Sequence, residues 1–237
     1  MMLKTLREEV LEANLELARR GLAVDTFGNA SGISRDKELV VIKPSGVPYD
    51  KLKPSDMVVT NLNGKTVEGR LRPSSDLATH VILYKNFPAI SGIAHTHSHN
   101  ATAWAQAKRE IPCLGTTHAD YFRGAIPVTA DLTDAEITKD YELNTGLAIV
   151  KRMEGIDPAT MPAALVAGHA PFCWGASPAE AAYIAWMLEE VARMALATMA
   201  INPDATPLNA TLLDKHFLRK HGASASYGQK MRTGTSK

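Results

Sequence analysis

Short apolar runs, with a turn signal between two of them, constrain the fold of this chain most. Leu39–Ile42 and residues 57–60 are each four residues long, and an Asn63-Gly64 turn leads from the second into another short run. That is a hairpin signal, because Asn-Gly readily adopts the backbone that reverses an antiparallel pair. Residues 90–97 and 163–168 read as further buried strands, and 111–115 as another. Helical segments lie between them. Leu3, Leu6, Val10, Ala13 and Leu17 form one stripe ended by Gly21, and Ser74-Ser75-Asp76 opens a periodic stretch running to Phe87-Pro88. Residues 100–108 and 211–221 also read as helices, the latter closed by Gly222. Thr133-x-x-Glu136 and Ser177-x-x-Glu180 have the form of capping boxes, the second with Pro178 at the first helical position of a helix to about residue 199. Helices alternating with short, hairpin-linked strands predict a three-layer α/β/α domain around a mainly antiparallel sheet, not a doubly wound parallel one.

Composition narrows the class. The 237 residues carry 26 Lys+Arg against 25 Asp+Glu, a net charge of +1, so no bulk basic field exists to attract nucleic acid or an anionic membrane. Hydrophobic residues at 45% and charged residues at 22% suit a globular chain with its own core. Two cysteines, Cys113 and Cys173, form no CxxC pattern and no disulfide framework. The N-terminus has charges every few residues and no apolar core of a signal peptide, and the apolar stretch 179–201 is broken by Glu180, Glu189, Glu190 and Arg193. A cytoplasmic protein is the expectation.

The densest chemical clue is His95-Thr-His97-Ser-His99 at the end of a predicted strand. Alternate strand residues share a face, so His95 and His97 would present two imidazoles side by side. Neutral imidazole is a good ligand for Zn²⁺ and related ions, and three ligands with one open position suit catalysis. His169, in Gly168-His169-Ala-Pro-Phe after a second predicted strand, is the best third ligand. Spacing alone leaves open that these are ordinary polar residues at strand ends. His99 is expected to be drawn into the following helix, and His80, within a helix, to be structural.

A second constellation looks anion-binding. Lys43-Pro-Ser45-Gly46 follows a strand, Arg72-Pro-Ser74-Ser75-Asp76 opens a helix, and Gly28-Asn29-Ala-Ser31-Gly32 can add a third loop. Hydroxyls, glycine N–H groups and helix N-termini cradle phosphate, although each loop taken singly is also an ordinary turn or cap. Three together point to a phosphorylated small substrate. Residue types alone do not select proton-transfer groups from the Thr116-Thr-His-Ala-Asp120-Tyr cluster or from Tyr227. No GxGxxG fingerprint occurs, so no nucleotide cofactor is expected.

From about residue 3 to residue 229, these motifs together resemble the class II aldolase/epimerase family, and within it the L-ribulose-5-phosphate 4-epimerases. Gly28-Asn29-Ala-Ser31, Val41-Ile-Lys43-Pro-Ser45-Gly46-Val47, Pro73-Ser-Ser-Asp76, His95-Thr-His97-Ser, Gly115-Thr-Thr-His-Ala-Asp120-Tyr-Phe, Gly168-His169-Ala-Pro-Phe and Leu213-Asp-Lys-His216 through Tyr227-Gly-Gln carry the resemblance. It implies one α/β/α domain over 1–229 with a flexible tail at 230–237, assembled as a homotetramer with active sites between neighbours. His95, His97 and His169 then bind a divalent metal, Zn²⁺ or a substitute such as Mn²⁺, with Asp76 close by. Aldolases of the family carry glutamate at the position of Asp76. Asn29, Lys43, Ser45, Gly46, Ser74 and Ser75 match phosphate-site positions. Asp120 and Tyr227 match two proton-transfer residues acting on opposite faces and supplied across the interface, and Thr116, Glu142 and His216 match further pocket positions.

The implied reaction interconverts L-ribulose 5-phosphate and D-xylulose 5-phosphate. The C4 hydrogen is not adjacent to the C2 carbonyl, so simple deprotonation is too costly. Breaking C3–C4 instead leaves an enediolate, whose charge a divalent cation can stabilise, and an aldehyde that turns and re-adds. Pentose routes from arabinose and from ascorbate both use this step. The competing expectations are an aldolase of fuculose or rhamnulose 1-phosphate, and a non-enzymatic adducin-like domain that would have lost the metal histidines. Leu143 and Ser226 depart from aromatic residues found in relatives.

Overall fold

In a computed structural model the sheet is seven-stranded and antiparallel, with helices on both faces; the structure describes residues 1–222 and 225. In chain order the strands are β1 Asn29–Ser34, β2 Leu39–Ile42, β3 Val58–Asn61, β4 Thr66–Glu68, β5 Gly92–His95, β6 Ala163–Leu165 and β7 Pro171–Gly175. The helices are α1 Lys4–Arg19, α2 Leu77–Asn86, α3 His99–Gln106, α4 Thr116–Ala119, α5 Asp134–Thr138, α6 Tyr141–Arg152, α7 Pro178–Ile201 and α8 Ala210–His221. Spatial order is β4-β3-β2-β1-β5-β7-β6, so the first four strands form a meander and β5 joins at the free edge of β1. The expected fold class therefore holds.

Layer assignment follows from strand alternation. On one face of β1 and β5, small residues admit α1 and α7. A Cβ on Gly92 would lie 2.1 Å from the Ser177 carbonyl oxygen, and one on Gly32 2.8 Å from the side chains of Leu6 and Pro178. The other face carries Asn29, Ser31, Ile93 and His95. There Ser31 Oγ bonds both His80 Nδ1 (2.7 Å) and Tyr84 Oη (2.8 Å) of α2, on which α6 packs. Asn14 of α1 clamps β1 by donating to the Ala30 carbonyl and accepting from the Ala30 N–H, which fixes the strand beside the site.

The hairpin β3–β4 forms as expected, with Asn61 Oδ1 accepting from the N–H groups of Asn63 and Lys65. Thr133 and Glu136 complete a capping box. Ser177 caps Glu180 N–H, but Glu180 turns its carboxylate to Ala176 N–H, so that box is only half formed. Other expectations need correction. Residues 28–32 are not a loop: all but Gly28 lie in β1, held by partners on both sides. Residues 111–115 form no strand; Ile111 makes one isolated bridge to Ile126, and Cys113 O accepts from Leu208 N–H. β5 ends at His95, so His97 lies beyond the sheet. Gly222 ends α8 at φ −75°, without a left-handed turn. The proposed tail 230–237, and the end of the domain at 229, lie outside the described residues.

Candidate active site

Three strands bring the histidines together. β5 pairs His95 with Asn29 of β1 on one side and with Phe172 of β7 on the other, and Phe172 stacks on the His95 ring at 4.1 Å. The tight turn between β6 and β7 closes through Val166 N–H to Ala170 O and His169 N–H to Val166 O. It needs Gly168 at φ +70°, a left-handed backbone that side chains disfavour. His95 Nδ1 lies 2.9 Å from the Pro171 carbonyl, which can only accept, so Nδ1 carries the proton and the Nε2 lone pair is free. His95 Nε2 is 3.1 Å from His97 Nε2 and 3.3 Å from His169 Nε2.

This donor set fits a cation. Nitrogens held 2.0–2.1 Å from one tetrahedral ion stand about 3.3 Å apart. Burial, reinforced by the neighbouring imidazoles, lowers the pKa of His97 and takes His169 down to about 4, so both are neutral near pH 7. Neutral imidazoles with lone pairs converging on one point repel unless a positive charge lies between them. His95, His97 and His169 are the metal-competent cluster among the described residues.

The histidines form one wall of a cleft of about 370 Å³ that also takes in Asn29, Lys43, Ser45, Gly46, Ser74, Ser75, Asp76 and Glu142. The Lys43 and Ser74 loops are zipped together: Ser45 N–H donates to Arg72 O, Ser74 N–H to Lys43 O, each at 3.0 Å, around a Pro44–Pro73 bridge. Gly28 turns the chain in at φ +82°, where a Cβ would lie 2.9 Å from the His95 carbonyl. Lys43 is buried, with Nζ 3.1 Å from Thr26 O and 4.7 Å from the Tyr49 ring centre. Burial lowers its pKa against the opposing pull of Asp76 and Asp25.

Asp76 stands at the N-terminus of α2 but makes no side-chain cap. Its Oδ2 instead accepts from Asn29 Nδ2 at 2.6 Å. Burial raises the Asp76 pKa, yet His95, His80 and the Asn29 amide outweigh it and hold the carboxyl below its usual range. The buried Asn29 Oδ1 has no partner among the described residues and can accept from a ligand hydroxyl.

Three other expected residues lie elsewhere. Thr116 opens α4, Asp120 ends it, and His216 lies on α8; none lines the cleft. Tyr227 lies outside the described residues. His99 is exposed at the start of α3, and His80 is fully buried against Ser31, as expected. The cleft also contains Tyr141, whose ring meets His169 edge-on at 6.1 Å, and Phe27, 5.8 Å from His97 and 59% exposed. Sequence reasoning missed both. Their only signal was adjacency, Tyr141 to Glu142 and Phe27 to Gly28-Asn29.

Residues 8–196 match the model of the class II aldolase and adducin N-terminal domain. The chain belongs to this family. An L-ribulose-5-phosphate 4-epimerase, UlaF, of Salmonella paratyphi A is 51% identical over 228 residues, 96% of this chain and 100% of that protein. Among solved structures, an L-fuculose 1-phosphate aldolase superposes with a TM-score of 0.77 at 27% identity, covering 90% of this chain and 94% of the other. A putative aldolase/epimerase/decarboxylase, YgbL of Klebsiella pneumoniae, superposes with a TM-score of 0.71 at 28% identity, covering 91% and 99%. No helix among the described residues is long and apolar enough to cross a membrane.

Proposed function

We propose that this class II aldolase-family chain is a metal-dependent L-ribulose-5-phosphate 4-epimerase. The observation that carries the reading is a full-length relative of that name at 51% identity, joined to one cleft lined by the three converging imidazoles, Asp76, Lys43 and the Ser74 loop. His95, His97 and His169 would hold the cation, with Zn²⁺ the best match to the imidazole set and Mn²⁺ a workable substitute. Bound there, the cation supplies a Lewis acid that stabilises negative charge developing on the ketose oxygens.

The chain's own groups do the rest. Lys43 supplies an ammonium, Ser45, Ser74 and Ser75 hydroxyls, and Gly46 and the start of α2 backbone N–H groups, a cradle for the substrate phosphate. Asn29 holds Asp76 beside the histidines and offers Oδ1 to a sugar hydroxyl. A base on one face takes the C4 hydroxyl proton, and the C3–C4 electron pair moves to the ketose fragment as the bond breaks. The aldehyde, retained by its phosphate, turns its other face; the pair returns to C4, and an acid on that face protonates the new C4 oxygen. We assign these roles to Asp120 and Tyr227, with Thr116, Glu142 and His216 as neighbours of the bound sugar. Asp120 lies outside the cleft of its own chain, so a neighbouring copy in a homotetramer supplies it. A cytoplasmic setting suits a phosphorylated pentose.

Incubation of the metal-loaded protein with L-ribulose 5-phosphate should yield D-xylulose 5-phosphate with no accumulation of free aldehyde. Net release of aldehyde from a deoxyketose 1-phosphate would instead place the chain with the aldolases whose fold it shares.

A further inference from the structure

Asp120 is held by one face of α8. Arg219 reaches it with a two-pronged contact, Nε to Oδ1 at 3.1 Å and Nη2 to Oδ2 at 2.8 Å. His216 Nδ1 lies 3.1 Å from Oδ1, and His221 Nε2 donates to the Asp120 backbone carbonyl at 2.9 Å. Lys220 of the same helix lies 3.8 Å from the Tyr121 ring centre, and Arg123 is paired with Asp214. Phe217 is the one fully buried residue of α8. Tyr227 follows six residues after the helix ends.

The two carboxylate oxygens differ. Among the described residues, Oδ1 accepts from both Arg219 and His216, whereas Oδ2 accepts from Arg219 alone. A carboxylate oxygen has about two acceptor positions, so the open one is on Oδ2. We propose that Arg219 is a positioning residue for the epimerisation: its fork fixes the Asp120 carboxylate so that Oδ2 faces the substrate, and its charge keeps that carboxylate ionised as the base. This rests on the proposed role of Asp120.

The charged and titratable groups around the carboxylate agree. Burial raises the Asp120 pKa, but the Arg219 and His216 contacts and the charge of Lys220 outweigh it and hold the group below its usual range. A carboxylate beside a guanidinium is a weaker base but stays deprotonated at lower pH. A bidentate fork also sets the carboxylate plane, which the single ammonium of a lysine cannot do.

The test compares pH profiles of kcat/KM for metal-loaded wild-type, Arg219→Gln, Arg219→Lys and Asp120→Asn proteins, with metal content measured for each. Arg219→Gln should lower kcat at least tenfold and move the acid limb upward by about one pH unit, as loss of an adjacent opposite charge does. Arg219→Lys should leave the acid limb near its wild-type position while kcat stays reduced, which separates charge from fork. Metal content should match wild type in both. An unshifted acid limb in Arg219→Gln, or a loss confined to KM, overturns the proposal. If Asp120→Asn itself retains full kcat, the role of Asp120 fails, whatever Arg219 does.

Discussion

At the residue scale, the three imidazoles carry the proposed metal site. His97→Asn removes one of three nitrogens, so metal affinity should fall tenfold or more and most turnover should be lost. Elemental analysis of the dialysed variant reads the first effect directly; retention of one metal per chain would refute the ligand assignment. In the proposed reading Lys43 acts on binding instead. Lys43→Met should raise KM about ten- to hundredfold, the weight of a charge-assisted hydrogen bond, with metal content unchanged. A lowered metal content in that variant would show that Lys43 supports the histidines rather than the phosphate. The histidines were legible because two fall at i and i+2 and the third follows a glycine in a tight turn. Tyr141 and Phe27 were not legible, since a tyrosine beginning a helix and a phenylalanine in a polar loop have no spacing that distinguishes them from packing or surface residues.

At the element scale, packing sets the tolerances. Gly92 lies beneath the start of α7, where the Ser177 carbonyl occupies the position of a side chain. Gly92→Ala must push backbone away and should cost about 2–4 kcal/mol, read as a lowered denaturant midpoint. A midpoint equal to wild type would mean the α7 N-terminus does not sit on the sheet here. α4 supplies a pH-dependent case. His118 is buried and its Nε2 donates to the Gly124 carbonyl at 2.8 Å; burial brings its pKa to about 4, against a smaller upward pull from that carbonyl. Its folded value lies below the unfolded one of about 6.5, so its contribution is complete above pH 6.5 and is lost as pH falls towards 4. The loss is on the order of 3 kcal/mol, and His118→Gln should flatten that limb of the stability curve.

The sequence revealed strands best where β-branched residues gather. Leu39–Ile42 and the hairpin after it were read correctly because Val, Ile and Asn-Gly are strong local signals. β1 was hidden: Asn-Ala-Ser-Gly has weak strand preference, and β1 exists because β2 and β5 pair with it and helices press on its glycine. The reverse error at 111–115 has the same origin. An apolar run reads as a strand, but this one finds no ladder beyond a single bridge.

At the scale of the whole molecule, the cleft and Asp120 are separate in one chain, and the proposed homotetramer joins them. Mixing inactive His97→Asn and Asp120→Asn chains under conditions that exchange subunits should restore activity. About a quarter of the sites would then pair an intact cleft with an intact carboxylate from a neighbour. Continued inactivity of verified mixed oligomers would place both groups in the same chain's site. The proposed assembly is not readable from spacing, because no pattern of apolar residues on a surface helix specifies which copy it meets.

In the proposed reading, three imidazoles hold one cation on which the epimerisation depends. Stripping the protein with a chelator and returning Zn²⁺ stepwise tests it most directly. Conversion of L-ribulose 5-phosphate to D-xylulose 5-phosphate should vanish on stripping and rise with occupancy to one equivalent per chain. Undiminished conversion by the stripped protein, or none at full occupancy, would contradict the account.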